Sequence, residues 1–344
     1  MDDLTQKILR NVVFLEARAN GVQEDLLQAL ARVFRDLYFR LESSIVDDQF
    51  VRNVAEEIKF TLDKVYENWG DQLSKTTKES VQSIIKLESE LLASSLDIEG
   101  LEVYALPLSK LEVIAKAPVA GAGLKKWAKK LSNEQTVKIK ESLQESIIEG
   151  LGTEETASKL RKTVSGINRF ESDVVARTML LQAANQARDE MYKGYEEHIV
   201  SYRYLATLDS RTCPICAPYD GRVRKKRSDL PIVPRHPRCR CTVTPWNRDD
   251  FDDGVTRAAV FHDSKEVKHR DGTTSTKFKV RKVDQVALNT SYSEWFKTLS
   301  AKDQKQILGE KRYEYYVSGK LKLRQFATPN RIKTLKELEE AIAE

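Results

Sequence analysis

All four cysteines of this 344-residue chain lie between Cys213 and Cys241, as Cys213-Pro-Ile-Cys216 and then His236-Pro-Arg-Cys239-Arg-Cys241. Five soft donors thus stand where a tetrahedral zinc ion needs four. To use them the chain must fold back until the two groups meet. Thiolates must lose protons to bind, and the metal-binding energy then becomes folding energy. With five candidates for four places, one of His236, Cys239 and Cys241 is left over, and the spacing does not say which. Two other readings compete with zinc: reduced cysteines packed as small hydrophobes, and a disulfide formed late in an extracellular particle. The chain starts Met1-Asp2-Asp3 with no apolar signal core after it, which points to a reducing cytosol during synthesis and favours metal. No run approaches the roughly 18 consecutive apolar residues of a membrane span.

A catalytic zinc keeps an open position and needs a carboxylate base beside it. Asp209 and Asp220 flank the first cysteine pair. The His-x-Glu of zinc deaminases and the HExxH of metalloproteases are both absent, and Asp209 and Asp220-Gly221 read as turn residues. The site is therefore expected to be closed and structural, with zinc as cofactor, no catalytic residues and no enzymatic activity. The rival reading is a zinc-dependent nuclease or related hydrolase acting on nucleic acid, drawing on His236, Asp209 and nearby arginines. Gly121 and Gly123 form no phosphate loop, because Lys126 takes the place of the third glycine. His198, His262 and His269 have no partners at ligand spacing and read as surface histidines.

Net charge is +5, and its distribution says more than its size. Between Arg222 and Arg240 eight cations, Arg222, Arg224, Lys225, Lys226, Arg227, Arg235, Arg238 and Arg240, face one acid, Asp229. The cationic excess of the whole chain therefore sits inside the metal segment. Such a run is either a solvated surface or a non-specific contact to nucleic acid phosphates.

The first third is helical. Ile8, Val12 and Leu15, then Leu26, Leu30, Val33, Leu37 and Leu41, recur every three or four residues, the stripe of an amphipathic helix. Val51–Trp69 and Val81–Leu92 read as further helices, divided by Gly70-Asp71 and by Ser/Thr-rich turns. Antiparallel bundling is the simplest outcome. Ala105-Leu-Pro107 and 117–123 break the pattern. Helix resumes from Leu124 past Ile147 and ends at Gly150-Leu-Gly152. Thr153 follows as an N-cap, with Glu154 and Glu155 in the first turn, and a longer helix runs from about Arg169 to Tyr192. Val200, Tyr202, Tyr204 and Ala206 then alternate as in a strand. Cys239, Cys241 and Val243 alternate likewise, which on a strand would aim both cysteines at one metal. Asp271-Gly272 looks like a hairpin turn, and the segment from Leu335 to Glu344 like a short helix. The fold class expected is α+β and predominantly α-helical: a helical N-terminal region over 1–115, a domain with a small zinc-stapled hairpin module over 116–250, and a mixed C-terminal extension over 251–344.

Together these strings resemble the phage head morphogenesis family, the Mu F-like minor head proteins. The resemblance is carried by Ala176-Arg-Thr178, by Ala184-Asn-Gln-Ala-Arg188, and by Thr207-Leu-Asp-Ser-Arg-Thr-Cys213-Pro-Ile-Cys216. It continues through Tyr219-Asp-Gly221 and His236-Pro-Arg-Cys-Arg-Cys241-Thr-Val-Thr-Pro245. Pro118 to Trp127 and Glu149 to Thr153 resemble the segment that opens the family's domain. Tyr292-Ser-Glu-Trp-Phe296, Gln306 to Arg312 and Thr334 to Leu338 resemble an extension found in some members. The family implies a minor capsid component of a tailed phage virion, made in the host cytoplasm and assembled in several copies around the portal. Its implied partners are the portal protein, the major capsid or scaffolding protein, and packaged DNA, with roles in packaging or genome ejection.

Overall fold

The computed structural model describes residues 2–42, 48–96, 103–119, 122–246, 256–268, 274–328 and 331–343. Its larger part is a bundle of long helices: α1 (Asp2–Glu42), α2 (Asp48–Leu96), the short α3 (Leu108–Lys116), α4 (Leu124–Ile148) and α5 (Thr153–Gly194). Leu4, Ile8, Leu15, Val22, Leu26, Leu30, Val33 and Leu37 are all buried on α1, because three- and four-residue steps keep them on one face of a 3.6-residue helix. On α2, Val51, Val54, Ile58, Leu62, Tyr66, Trp69, Leu73 and Val81 form the answering stripe. The two helices run antiparallel: Arg18 Nε donates to Ser80 Oγ (3.5 Å), and Gln72 Nε2 donates to Asp25 Oδ2 (2.6 Å).

Two expectations about helix boundaries need correction. Gly70-Asp71 does not divide α2, which continues for 49 residues. A glycine inside a helix costs about 1 kcal/mol against alanine. Trp69 and Leu73 on either side are fully buried, and burial worth about 1.5–3 kcal/mol for each such side chain outweighs that cost. Nor does a separate helix begin near Arg169, since α5 runs 42 residues from Thr153. Gly150, at a φ of 65°, turns the chain out of α4. The cap of α5 is then Gly152, one residue before the expected Thr153, and its N–H donates to the Glu155 carboxylate at 3.3 Å.

Helices from both sides of the expected boundary at 115/116 share one core. Tyr66 on α2 donates its hydroxyl to Gln135 on α4 at 2.7 Å, inside the bundle. Gly121 lies outside the described residues. Its neighbours Val119 and Ala122 bridge each other, and Gly123 directly precedes α4, as in a turn.

After α5 the chain turns to short strands. β1 (Ser201–Leu205) is the centre of an antiparallel sheet between β3 (Val223–Arg224) and β4 (Thr242–Trp246). β2 (Leu208–Asp209) lies parallel to β5 (Thr256–Lys268), which pairs antiparallel with β6 (Thr274–Ala287). The strand expected to carry Cys239 and Cys241 starts only at Thr242. Arg238 has a φ of 61°, and that left-handed residue makes a tight turn where a strand would need extended backbone. Asp271-Gly272 lies outside the described residues, between strands that do pair as a hairpin.

Four further helices, α6 (Tyr292–Thr298), α7 (Ala301–Leu308), α8 (Glu310–Val317) and α9 (Leu335–Ala343), pack a second core. There Tyr292, Trp295, Phe296, Phe326 and Leu338 meet Leu208, Ala217 and Ala259. Residues beyond 250 therefore share their interior with the cysteine segment. The architecture is α+β and mainly helical, as expected from the sequence. No helix among the described residues is long and apolar enough to cross a membrane.

Candidate metal centre

Two tight turns present the ligands. In the first, Cys216 N and Ala217 N both donate to Cys213 O (3.1 and 3.0 Å), which sets Cys213 and Cys216 side by side. In the second, Cys239 N donates to His236 O at 3.1 Å, with Arg238 at the left-handed corner. The two turns face one another. His236 Nε2 lies 3.0 Å from Cys213 Sγ and 3.3 Å from Cys216 Sγ, and Cys216 Sγ lies 3.8 Å from Cys239 Sγ. Zn–S bonds of about 2.3 Å at a tetrahedral angle put sulfurs about 3.8 Å apart and sulfur and nitrogen about 3.5 Å apart. The sulfur pair matches, and the sulfur–nitrogen pairs sit slightly closer.

Cys213, Cys216 and His236 form one group that could hold a metal ion, and Cys216, Cys239 and Cys241 form another. All four cysteines are free thiols. The protonation chemistry suits a cation. His236 Nδ1 lies 2.8 Å from Pro237 O. A carbonyl can only accept, so Nδ1 carries a proton and Nε2 is the ring nitrogen that faces the sulfurs. The Cys213 thiol is held down to about 4, first by a hydrogen bond from Cys216 and also by His236. Hydrogen bonds with the neighbouring cysteines push Cys216 up. Burial works against a charged His236, yet Cys213 and Cys239 raise it to about 10. Crowded acidic sulfurs sharing too few protons are what a divalent cation relieves. The Tyr204 hydroxyl is buried without a well-formed hydrogen bond and is raised by burial and then by Cys241, Cys216 and Cys239.

Ion pairs lock the turns to the rest of the fold. Asp209 and Asp220, expected as turn residues, are both buried and salt-bridged. Arg240 grips Asp209 with both arms, Nη2 donating to Oδ1 at 2.7 Å and Nη1 to Oδ2. Asp209 also accepts from Arg211 N at 3.0 Å, so it keeps its turn function too. Burial opposes its charge, but Arg240 holds the carboxyl below its ordinary value. Asp220 accepts from Ala206 N (2.7 Å), Tyr292 N (2.6 Å) and Arg257 Nη2 (3.0 Å), which ties the module to β5 and α6. The two groups that the nuclease reading draws on are thus both engaged, Asp209 by Arg240 and His236 by the sulfurs.

The basic run is largely used inside the chain. Arg227 donates to both oxygens of Asp189 (2.7 and 3.0 Å), Arg238 pairs with Asp173, and Arg240 pairs with Asp209. The guanidinium groups of Arg222 and Arg235 lie 4.2 and 4.1 Å from the Tyr219 ring centre. Arg224, Lys225 and Lys226 are exposed. His198 is exposed, His269 lies outside the described residues, and His262 is buried rather than on the surface, its Nδ1 3.1 Å from Ser210 Oγ.

Several residues for which the sequence suggested no role at the metal hold this site, Thr178, Asn185 and Arg188 among them from the strings that carry the resemblance. The buried Arg188 donates to Glu88 through Nε and Nη2, both at 2.8 Å, and Asn11 donates to the same carboxylate at 2.7 Å. Asn185 donates to Cys241 O (3.3 Å) and accepts from Thr242 Oγ1 (2.9 Å). Thr178 Oγ1 accepts from Arg238 N at 3.1 Å. Glu16 lies 3.4 Å from Arg177 and 3.8 Å from Arg240. Glu88 and Glu16 sit in the N-terminal helices, far from the module in sequence, where no local pattern marks them.

Residues 137–244 match the family described as Phage Mu protein F like protein. Over these residues the chain is similar to the Mu F-like proteins of phage heads. The match takes in the latter half of α4, all of α5 and the whole Cys/His module. Within the matched residues the strings of the sequence explain one another: the Asp-x-Arg-Thr-Cys string supplies Asp209 and the Cys-Arg-Cys string supplies Arg240, its partner. No curated protein and no solved structure matches the chain.

Proposed function

We propose that this chain is a minor head protein of a tailed phage, carried in the virion and assembled in several copies around the portal. It acts there in head morphogenesis and in the handling of DNA during packaging or ejection. Portal and major capsid or scaffolding proteins are its partners, met through the exposed faces of the long helices. Zinc is a structural staple in the Mu F-like domain, not a catalyst. The observation that carries the reading is the Mu F-like match coinciding with a Cys/His ligand cluster, while Asp209, the carboxylate just before the first cysteine pair, is taken by Arg240.

The ligand set proposed is Cys213, Cys216, His236 and Cys239. His236 reaches Cys213 and Cys216 directly and also interacts with Cys239. Cys239 and Cys241 both group with Cys216, and of the two it is Cys239 that interacts with His236. Four ligands leave no open position, the condition of a structural site. Cryo-electron microscopy of the virion tests the location: density for this chain at the portal vertex is expected, and heads that lack it would end the proposal.

A further inference from the structure

β5 and β6 leave the body of the protein as an arm. β5 meets β2 only at Ala259 and Val260. Among the described residues, the strands from Phe261 to Lys268 and from Thr274 to Lys282 pair only with each other. At about 3.4 Å per residue the arm reaches about 27 Å. Its base is held by Trp295 against Phe261 and by Gln306 donating to His262 O; beyond that, two strands alone are marginal in water, and a partner along them would stabilise the arm.

Its charge names the partner. Over 263–282 the cations Lys265, Lys268, Arg270, Lys277, Lys279, Arg281 and Lys282 face only Asp263, Glu266 and Asp271. Near the base the charges are spent within the protein: Arg281 pairs with Asp263 (3.3 Å) and Asp303 (2.9 Å), and Lys282 pairs with Asp284 (2.7 Å). Farther out, Lys265 and Lys279 are exposed. The register sets Lys265 directly opposite Lys277. Like charges facing across two strands oppose pairing, and a polyanion laid along the ribbon reverses that penalty. A major groove about 12 Å wide admits a two-stranded ribbon. The basic run of the metal module, by contrast, has Arg227, Arg238 and Arg240 neutralised by carboxylates.

We propose that the β5–β6 ribbon is a contact arm for duplex DNA, with Lys265, Lys268, Lys277 and Lys279 serving the phosphates without reading sequence. The inference rests on the reading of the chain as a head protein that handles DNA, and names the surface that does so. Fluorescence anisotropy of the full chain with a labelled mixed-sequence duplex, over a salt series, tests it. Wild type should bind with a steep inverse dependence on salt. Lys265→Gln, Lys268→Gln, Lys277→Gln and Lys279→Gln combined should lower the slope of log K against log salt by ~0.9 per lost contact, about 3.6 in all. Arginine at the same four positions should keep the slope, which separates charge from folding. Arg224→Gln, Lys225→Gln and Lys226→Gln combined should leave most of it. Loss of binding in the loop variant with a normal ribbon variant overturns the inference. So does a wild type that ignores duplex DNA, which would leave an acidic protein surface as the ribbon's partner. Neither result touches the portal-vertex location, which the virion density decides separately.

Discussion

The bundle of residues 2–194 buries one aliphatic side chain after another along four long helices, from Leu4 on α1 to Met191 on α5. The module of residues 201–246 adds to its buried aliphatics, Leu205, Leu208, Leu230 and Val243 among them, the buried Cys216, Cys239, Cys241, Arg203, Asp209 and Asp220. Apolar burial is non-directional and spread over many residues, so a bundle loses stability in small steps. Buried thiols and ions stabilise only while their partners are present, and each orphaned group then costs several kcal/mol. The two regions should therefore fail differently.

Metal removal should separate them most sharply. Structural zinc in small modules contributes an apparent ~10–16 kcal/mol near neutral pH. Chelation should raise hydrogen exchange across 201–246 towards that of an open chain, while α1 and α2 stay protected. Falling pH should do the same, as protons compete for the thiolates. Purified protein without stoichiometric zinc, or exchange indifferent to chelator, would put the module on the same footing as the bundle.

A smaller difference lies between two arginine clamps. Glu88→Ala leaves Arg188 fully buried without its carboxylate, and strands Asn11 as well, so a loss of about 3–5 kcal/mol is expected in urea unfolding. Asp209→Ala should cost less, because Arg240 still has Glu16 at 3.8 Å. Asp209 also carries the acid sensitivity. Its carboxyl titrates below the ordinary value, so its stabilisation is complete above about pH 4 and fades as pH falls through the depressed pKa. Equal losses from the two variants would show that Glu16 gives Arg240 no support.

The same contrast explains what could be read from the sequence. Apolar spacing is local, so α1 and the two ends of α2 are legible from it. Ligand spacing is local too, and it marked all five metal candidates. Gly70-Asp71 misled because a glycine's cost is local while the burial of Trp69 and Leu73 is tertiary. Asp209 and Asp220 read as turn residues because their partners, Arg240 and Arg257, lie 31 and 37 residues away. The arm was legible only as a hairpin turn at Asp271-Gly272, because its role as an arm shows only in the pairing: among the described residues no third strand joins its outer length.

The smallest effect sharpens the comparison most. If Cys213, Cys216, His236 and Cys239 are the ligands, Cys241 belongs to the module's packing and behaves as a bundle residue would. Its carbonyl is held by Asn185 whatever its side chain, and its thiol fills a buried space beside Tyr204. Cys241→Ala should keep one zinc per chain and cost about 1 kcal/mol, in the range of an ordinary buried truncation. Cys239→Ala should lose the metal and open the module. Zinc content by mass spectrometry under native conditions, read beside the urea midpoint, distinguishes the two. Loss of zinc from Cys241→Ala with retention in Cys239→Ala would move the fourth ligand across the site, and would make the Tyr204 hydroxyl a neighbour of the bound metal.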